Sequence, residues 1–128
     1  MSAEDRERSD ELLIADIGQP PYERRLTDKI LIAFNHALAL GYVEIAERLH
    51  LTLEIAEREG VKKYGERRGV TVLDLAGLWR AFIAARDHFV RLSADPAIDP
   101  ARLADARSRM RERWRLWENF NDGVKKIG

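Results

Sequence analysis

Between Ile30 and Leu40 only Asn35 and His36 interrupt an apolar run, ILIAFNHALAL, and a run of this kind has to be taken out of water. Its spacing says how. At about 100° per residue, Ile30, Phe34, Ala37 and Leu38 cluster on one side with Leu31, Ala33 and Leu40 beside them. Ile32, Asn35, His36 and Ala39 fall on the other side. The pattern predicts a central, mostly buried helix with Thr27 as its N-cap, Asp28 in its first turn and Gly41 as its C-cap glycine. The rest of the chain has to cover it.

Three further segments read as helices able to do so. Val43 to Glu59 carries a main stripe of Ile45, Ala46, Leu49, Leu53 and Ala56 and meets a stop signal at Gly60. Leu51 and Ile55 lie about 180° from that stripe, so they need a different partner. Thr71 and Asp74 have capping-box spacing and open a helix to about Leu92, with Val72, Leu75, Trp79, Phe82, Ile83, Phe89 and Val90 on its apolar face. Gly77, Ala81, Ala84 and Ala85 on its other side predict a tight packing seam. Asp99 and Pro100 start the last helix, which carries Leu103, Ala106, Met110, Arg113, Trp117 and Phe120 along one seam and ends near Asn121. The expected fold is therefore all-α: a compact bundle of about four helices, approximately 27–40, 43–59, 71–92 and 99–121, in a single helical domain spanning 27–128.

Residues 1–26 read as an N-terminal arm and linker, partly disordered, because the first ten are polar and Gln19-Pro20-Pro21 interrupts helix. Within the arm, Leu12, Leu13, Ile14 and Ile17 are too few for a stable isolated helix but apolar enough to dock on another surface. The start, MSAEDRERSD, is acidic where a signal peptide is basic and then apolar, and no run approaches the ~20 apolar residues that span a bilayer. A cytoplasmic protein without membrane contact is expected. The absence of cysteine excludes disulfides and thiolate ligands. At 45% hydrophobic and 34% charged residues, the chain has the composition of a folded domain.

Net charge is zero but unevenly placed. Residues 1–18 hold six acids and two arginines, while residues 101–126 hold six arginines and two lysines against four acids. Acidic arm and basic last helix could attract one another, yet a balanced total gives no general affinity for nucleic acid. Arg107, Arg109, Arg111, Arg113 and Arg115 advance in steps of about 200°, which reads as scatter around the helix rather than as a phosphate-tracking stripe. Residues 61–70, VKKYGERRGV, read as a basic loop leading to a helix N-terminus, where Lys62, Lys63, Arg67 and Arg68, together with Arg109 and Arg111, are candidates for anion or nucleic-acid binding. Arg86, set among Phe82, Ile83, Phe89 and Val90, must either extend its guanidinium to an edge or pair it inside the bundle.

Chemistry is sparsely provided. His36, His50 and His88 form no pair at i, i+4 of the kind a helical zinc site needs, and Ser93 and Ser108 have no base at a diagnostic spacing. No catalytic, metal-binding or cofactor-binding set is expected. The pair of segments from Ile30 to Ile55 resembles one tetratricopeptide-type helix pair, with Gly41 at the turn and the small Ala46 five residues later. His50 and Leu53 depart from that pattern, and no second copy follows at about 34 residues. The resemblance implies protein–protein scaffolding. The leading expectation is a non-enzymatic interaction, adaptor or regulatory module that engages another protein or its own subunit through Leu51, Ile55, Leu12, Leu13, Ile14 and Ile17. The alternatives are a small RNA- or DNA-binding protein and a small-ligand or anion sensor.

Overall fold

A proline lacks an N–H, and the first turn of a helix is where that loss costs least, because N–H groups there have no intrahelical acceptor. The first helix accordingly begins at Pro20, seven residues before the expected cap at Thr27. The computed structural model describes the backbone of residues 20–66 and 69–127 and the side chains of residues 26–66 and 69–121. Its elements are α1 (Pro20–Ala39), α2 (Val43–Tyr64), α3 (Val72–Ser93) and α4 (Pro100–Ile127), and no strand occurs among the described residues. Thr27, rather than capping α1, is buried within it.

Helix termini follow local chemistry. Gly41, at φ +83°, turns the chain at the end of α1: its N–H donates to Leu38 O at 3.1 Å and the Tyr42 N–H donates to Ala37 O at 2.9 Å. These two bonds make the Schellman arrangement that a left-handed glycine permits. Gly60, expected to stop α2, keeps a right-handed backbone, and the helix runs on to Tyr64. It ends at Gly65, whose φ is +83° and whose N–H donates to Val61 O at 2.8 Å. What stops a helix is the left-handed conformation, which glycine permits and does not compel. Thr71 and Asp74 form the complete reciprocal capping box, with Asp74 N–H donating to Thr71 Oγ1 at 3.1 Å and Thr71 N–H to Asp74 Oδ2 at 3.0 Å. Asp99 Oδ1 accepts from Ala101 N–H at 3.1 Å and so caps α4, which continues through Gly123 to Ile127.

The core is built by three helices. Phe34 from α1, Leu53 from α2 and Val72 from α3 are enclosed, with Leu31, Leu38, Ala46, Leu75 and Ile83 around them. The central helix is α3, which packs against all three others, whereas α4 packs on α3. This corrects the expectation for α1: Ile32, Ala33, His36 and Leu40 face solvent, so α1 is buried along one stripe only. Gly77 and Ala84 are also exposed, and a Cβ built on Gly77 meets nothing within 4 Å, so the predicted small-residue seam reduces to the half-buried Ala81 and Ala85. On α4, Arg113 is exposed and Phe120 partly so, leaving Leu103, Ala106, Met110 and Trp117 as the working seam.

Two glycines offer a direct check of the termini. Gly60→Ala adds a methyl to open space in a right-handed helix and is expected to raise stability by about 0.5 to 1 kcal/mol. Gly41→Ala has equal room but a positive φ, so it is expected to lower stability by about 1 kcal/mol or more. Urea melts of the two variants against the parent should move in opposite directions; a shift of the same sign in both would contradict the assigned termini.

Candidate interaction surfaces

The outer face of α2 is the first candidate. Its inner stripe, Ala46 and Leu53, is buried, and the half-turn offset that separates Leu51 and Ile55 from that stripe turns them outward. Leu51 is 59% and Ile55 54% exposed. Arg48 and Glu44 on the same face form an ion pair at 3.2 Å. Leu12, Leu13, Ile14 and Ile17, the other half of the expected contact, lie outside the described residues.

The basic loop contracts. Lys62 and Lys63 belong to the last turn of α2, where their charge complements the helix dipole. Lys62 Nζ pairs with Glu59 at 3.2 Å, and Lys63 Nζ lies 5.7 Å from the Tyr64 ring centre. Arg67 and Arg68 lie outside the described residues, so the expected anion site at 62–68 is not assembled by the described part.

The junction of α3 with its neighbours is richer. Trp79 donates its indole N–H to Asn35 O at 2.9 Å, and Arg86, two turns later, donates from Nη2 to Ala39 O at 3.1 Å. Arg86 therefore satisfies a C-terminal carbonyl of α1, a favourable place for a cation, while its Nε and Nη2 also donate to Asp87 Oδ1 at 3.3 and 3.1 Å. This resolves the sequence-level choice: the guanidinium is paired at the rim of the bundle. On the other side of α3, Trp79 meets Trp117 with ring centres 4.8 Å apart, and Phe82 meets Trp114 edge-on at 5.2 Å. The Trp117 indole N–H and the Asn35 side-chain oxygen are buried with no hydrogen-bond partner.

Beside this aromatic cluster, α3 and α4 border an open groove of about 540 Å³ lined by Phe82, Arg86, Met110, Arg111, Trp114 and Arg115. The arginines of α4 are not scattered. Steps of about 200° return every second one to nearly the same face, so Arg107, Arg111 and Arg115 form one row and Arg109 and Arg113 another. Arg107 lies over the Phe89 ring at 5.4 Å, Arg111 and Arg115 reach the groove, and Arg109 pairs with Asp105 at 3.4 Å. Trp114 and Arg115 are absent from the candidate site residues expected from the sequence, although the i, i+4, i+8 spacing of Arg107, Arg111 and Arg115 carries the signal.

Titratable groups add little chemistry. His50 Nδ1 lies 2.9 Å from Glu54, and its ring packs on Phe34 with centres 5.4 Å apart. Arg80, whose guanidinium lies over Phe34, bonds Glu47 and holds its carboxyl below the usual carboxylate range. Whatever stability this α2–α3 pair gives is present above the ordinary carboxylate range and lost as pH falls through the lowered value. Among the described residues no group of three or more His, Asp or Glu could hold a metal ion, and no helix is long and apolar enough to cross a membrane. No family model matches the chain, and neither a curated protein nor a solved structure shows significant similarity to it.

Trp79 joins the α1 side of α3 to the α4 side, so Trp79→Ala is expected to cost about 3 kcal/mol, the lower part of the range for emptying a buried aromatic site. Trp79→Phe, which keeps a ring and loses the hydrogen bond, is expected to cost about 1 kcal/mol. A melting temperature unchanged in both would place Trp79 outside the load of the fold.

Proposed function

We propose that this chain is a non-enzymatic interaction module, and that the outer face of α2 is where it engages another protein surface, either the apolar residues of its own N-terminal segment or a second copy of the chain. The observation that carries this reading is the outward presentation of Leu51 and Ile55 on a helix whose opposite stripe is already used in the core. Two exposed aliphatics alone are ordinary on a surface. Here a second apolar group, Leu12, Leu13, Ile14 and Ile17, is tethered a few residues before α1 and needs cover as well. The helix-pair resemblance of Ile30 to Ile55 supports the same class of function. The nucleic-acid reading is weaker, since Lys62 and Arg109 are engaged by acids of their own helices.

Light scattering on three proteins tests this. If the chain's own segment covers α2, deleting residues 1–18 is expected to promote self-association; if a second copy does, Leu51→Glu with Ile55→Glu is expected to convert dimers to monomers. An unchanged monomer in the full chain, the deletion and the double variant would overturn the proposal.

A further inference from the structure

Independently of α2, we infer that the groove between α3 and α4 is a binding site for a small organic anion, one with an aromatic or apolar body and a carboxylate, sulfonate or phosphate head. Its volume, about 540 Å³, lies within the range of small-molecule sites. Its floor is apolar: Phe82, Met110 and Trp114. Trp114 stays 39% exposed although it stands edge-on to Phe82, so part of an indole is available to a ring laid in the groove.

The rim supplies the charge. Arg86, Arg111 and Arg115 line the groove and no acid does. Arg86 is engaged by Ala39 O and Asp87, and contributes field more than free donors. Arg111 and Arg115 are one turn apart, a rise of about 6 Å, and form no ion pair with a described residue, although Glu112 and Glu118 stand on the same helix. Two unpaired guanidinium forks beside an aromatic floor suit an anionic head attached to a flat body, because each fork can donate twice to one oxyanion while the body leaves water. The whole chain is neutral, although residues 101–126 hold eight basic residues against four acids, so the groove lies on the basic helix of a neutral protein. A nucleic-acid strand would need the row to continue. Arg107 is instead stacked on Phe89, and Glu118 follows three residues after Arg115.

The probe is 1-anilinonaphthalene-8-sulfonate, an aromatic anion whose fluorescence rises on binding, titrated into the full chain at low and high salt. Saturable, salt-weakened binding is expected, and Arg111→Gln with Arg115→Gln should weaken it about tenfold or more, the loss expected for charge-assisted hydrogen bonds. Arg111→Lys with Arg115→Lys should retain most of it. Arg109→Gln with Arg113→Gln removes equal charge from the opposite face and should leave affinity unchanged, as should Leu51→Glu with Ile55→Glu. Circular dichroism confirms that each variant keeps its helices; should the glutamine pair unfold, Arg115→Gln alone takes its place with a smaller loss. Parent affinity in the folded glutamine pair, or equal losses from both arginine rows, would overturn the inference. So would a chain that ignores the dye but retains a single-stranded oligonucleotide or an acidic peptide through Arg111 and Arg115.

Discussion

Trp79 and Arg86 reach from α3 to the carbonyl oxygens of Asn35 and Ala39, one turn apart at the end of α1. A helix end leaves carbonyls without intrahelical donors, and here the turn glycine satisfies some of them while the neighbouring helix satisfies Ala39. Because both donors lie on α3 and both acceptors on α1, rising together along each helix, the two helices run parallel with a fixed register. That register places Phe34, Leu53, Val72, Leu75 and Ile83 in one core and turns the opposite flank of α3 toward α4.

The consequence is an asymmetric bundle. Helices α1 and α2 share an enclosed core with α3, whereas α4 rests on α3 through rings and Ala106. The aromatic seam leaves Trp114 partly in water and Trp117 without a partner for its N–H. The groove is the gap that such a seam leaves, and Arg111 and Arg115 fall along it because four-residue spacing keeps Arg107, Arg111 and Arg115 on one side of the buried stripe of α4.

Much of this was legible from residue order. Periodicity gave four helices with α3 and α4 within a residue or two of their true starts, and the Gly41 turn, the Thr71 capping box and the outward direction of Leu51 and Ile55 follow from local chemistry alone. What misled was context. Thr27 has the chemistry of a cap but is claimed by the core; Pro20-Pro21 reads as a break yet suits a first turn; Gly60 reads as a stop although glycine only permits one. The apolar richness of Ile30 to Leu40 suggested a central helix, but centrality belongs to the helix that all the others pack against, here α3, and that is a tertiary property. The site was less legible still. The groove needs Phe82 and Arg86 of one helix opposite Met110, Trp114 and Arg115 of another, and no local signal states that pairing.

The central claim is that α3 is the helix on which the others depend, with α4 a separable layer. Native-state amide hydrogen exchange on the full chain, resolved by residue, addresses it most directly, since local opening energies follow the cooperative units of a fold. Slowest exchange is predicted for Leu75 to Ile83, with α4 amides opening earlier and α1 to α3 retaining protection when they do. Protection in α4 equal to or greater than that of α3 would contradict it.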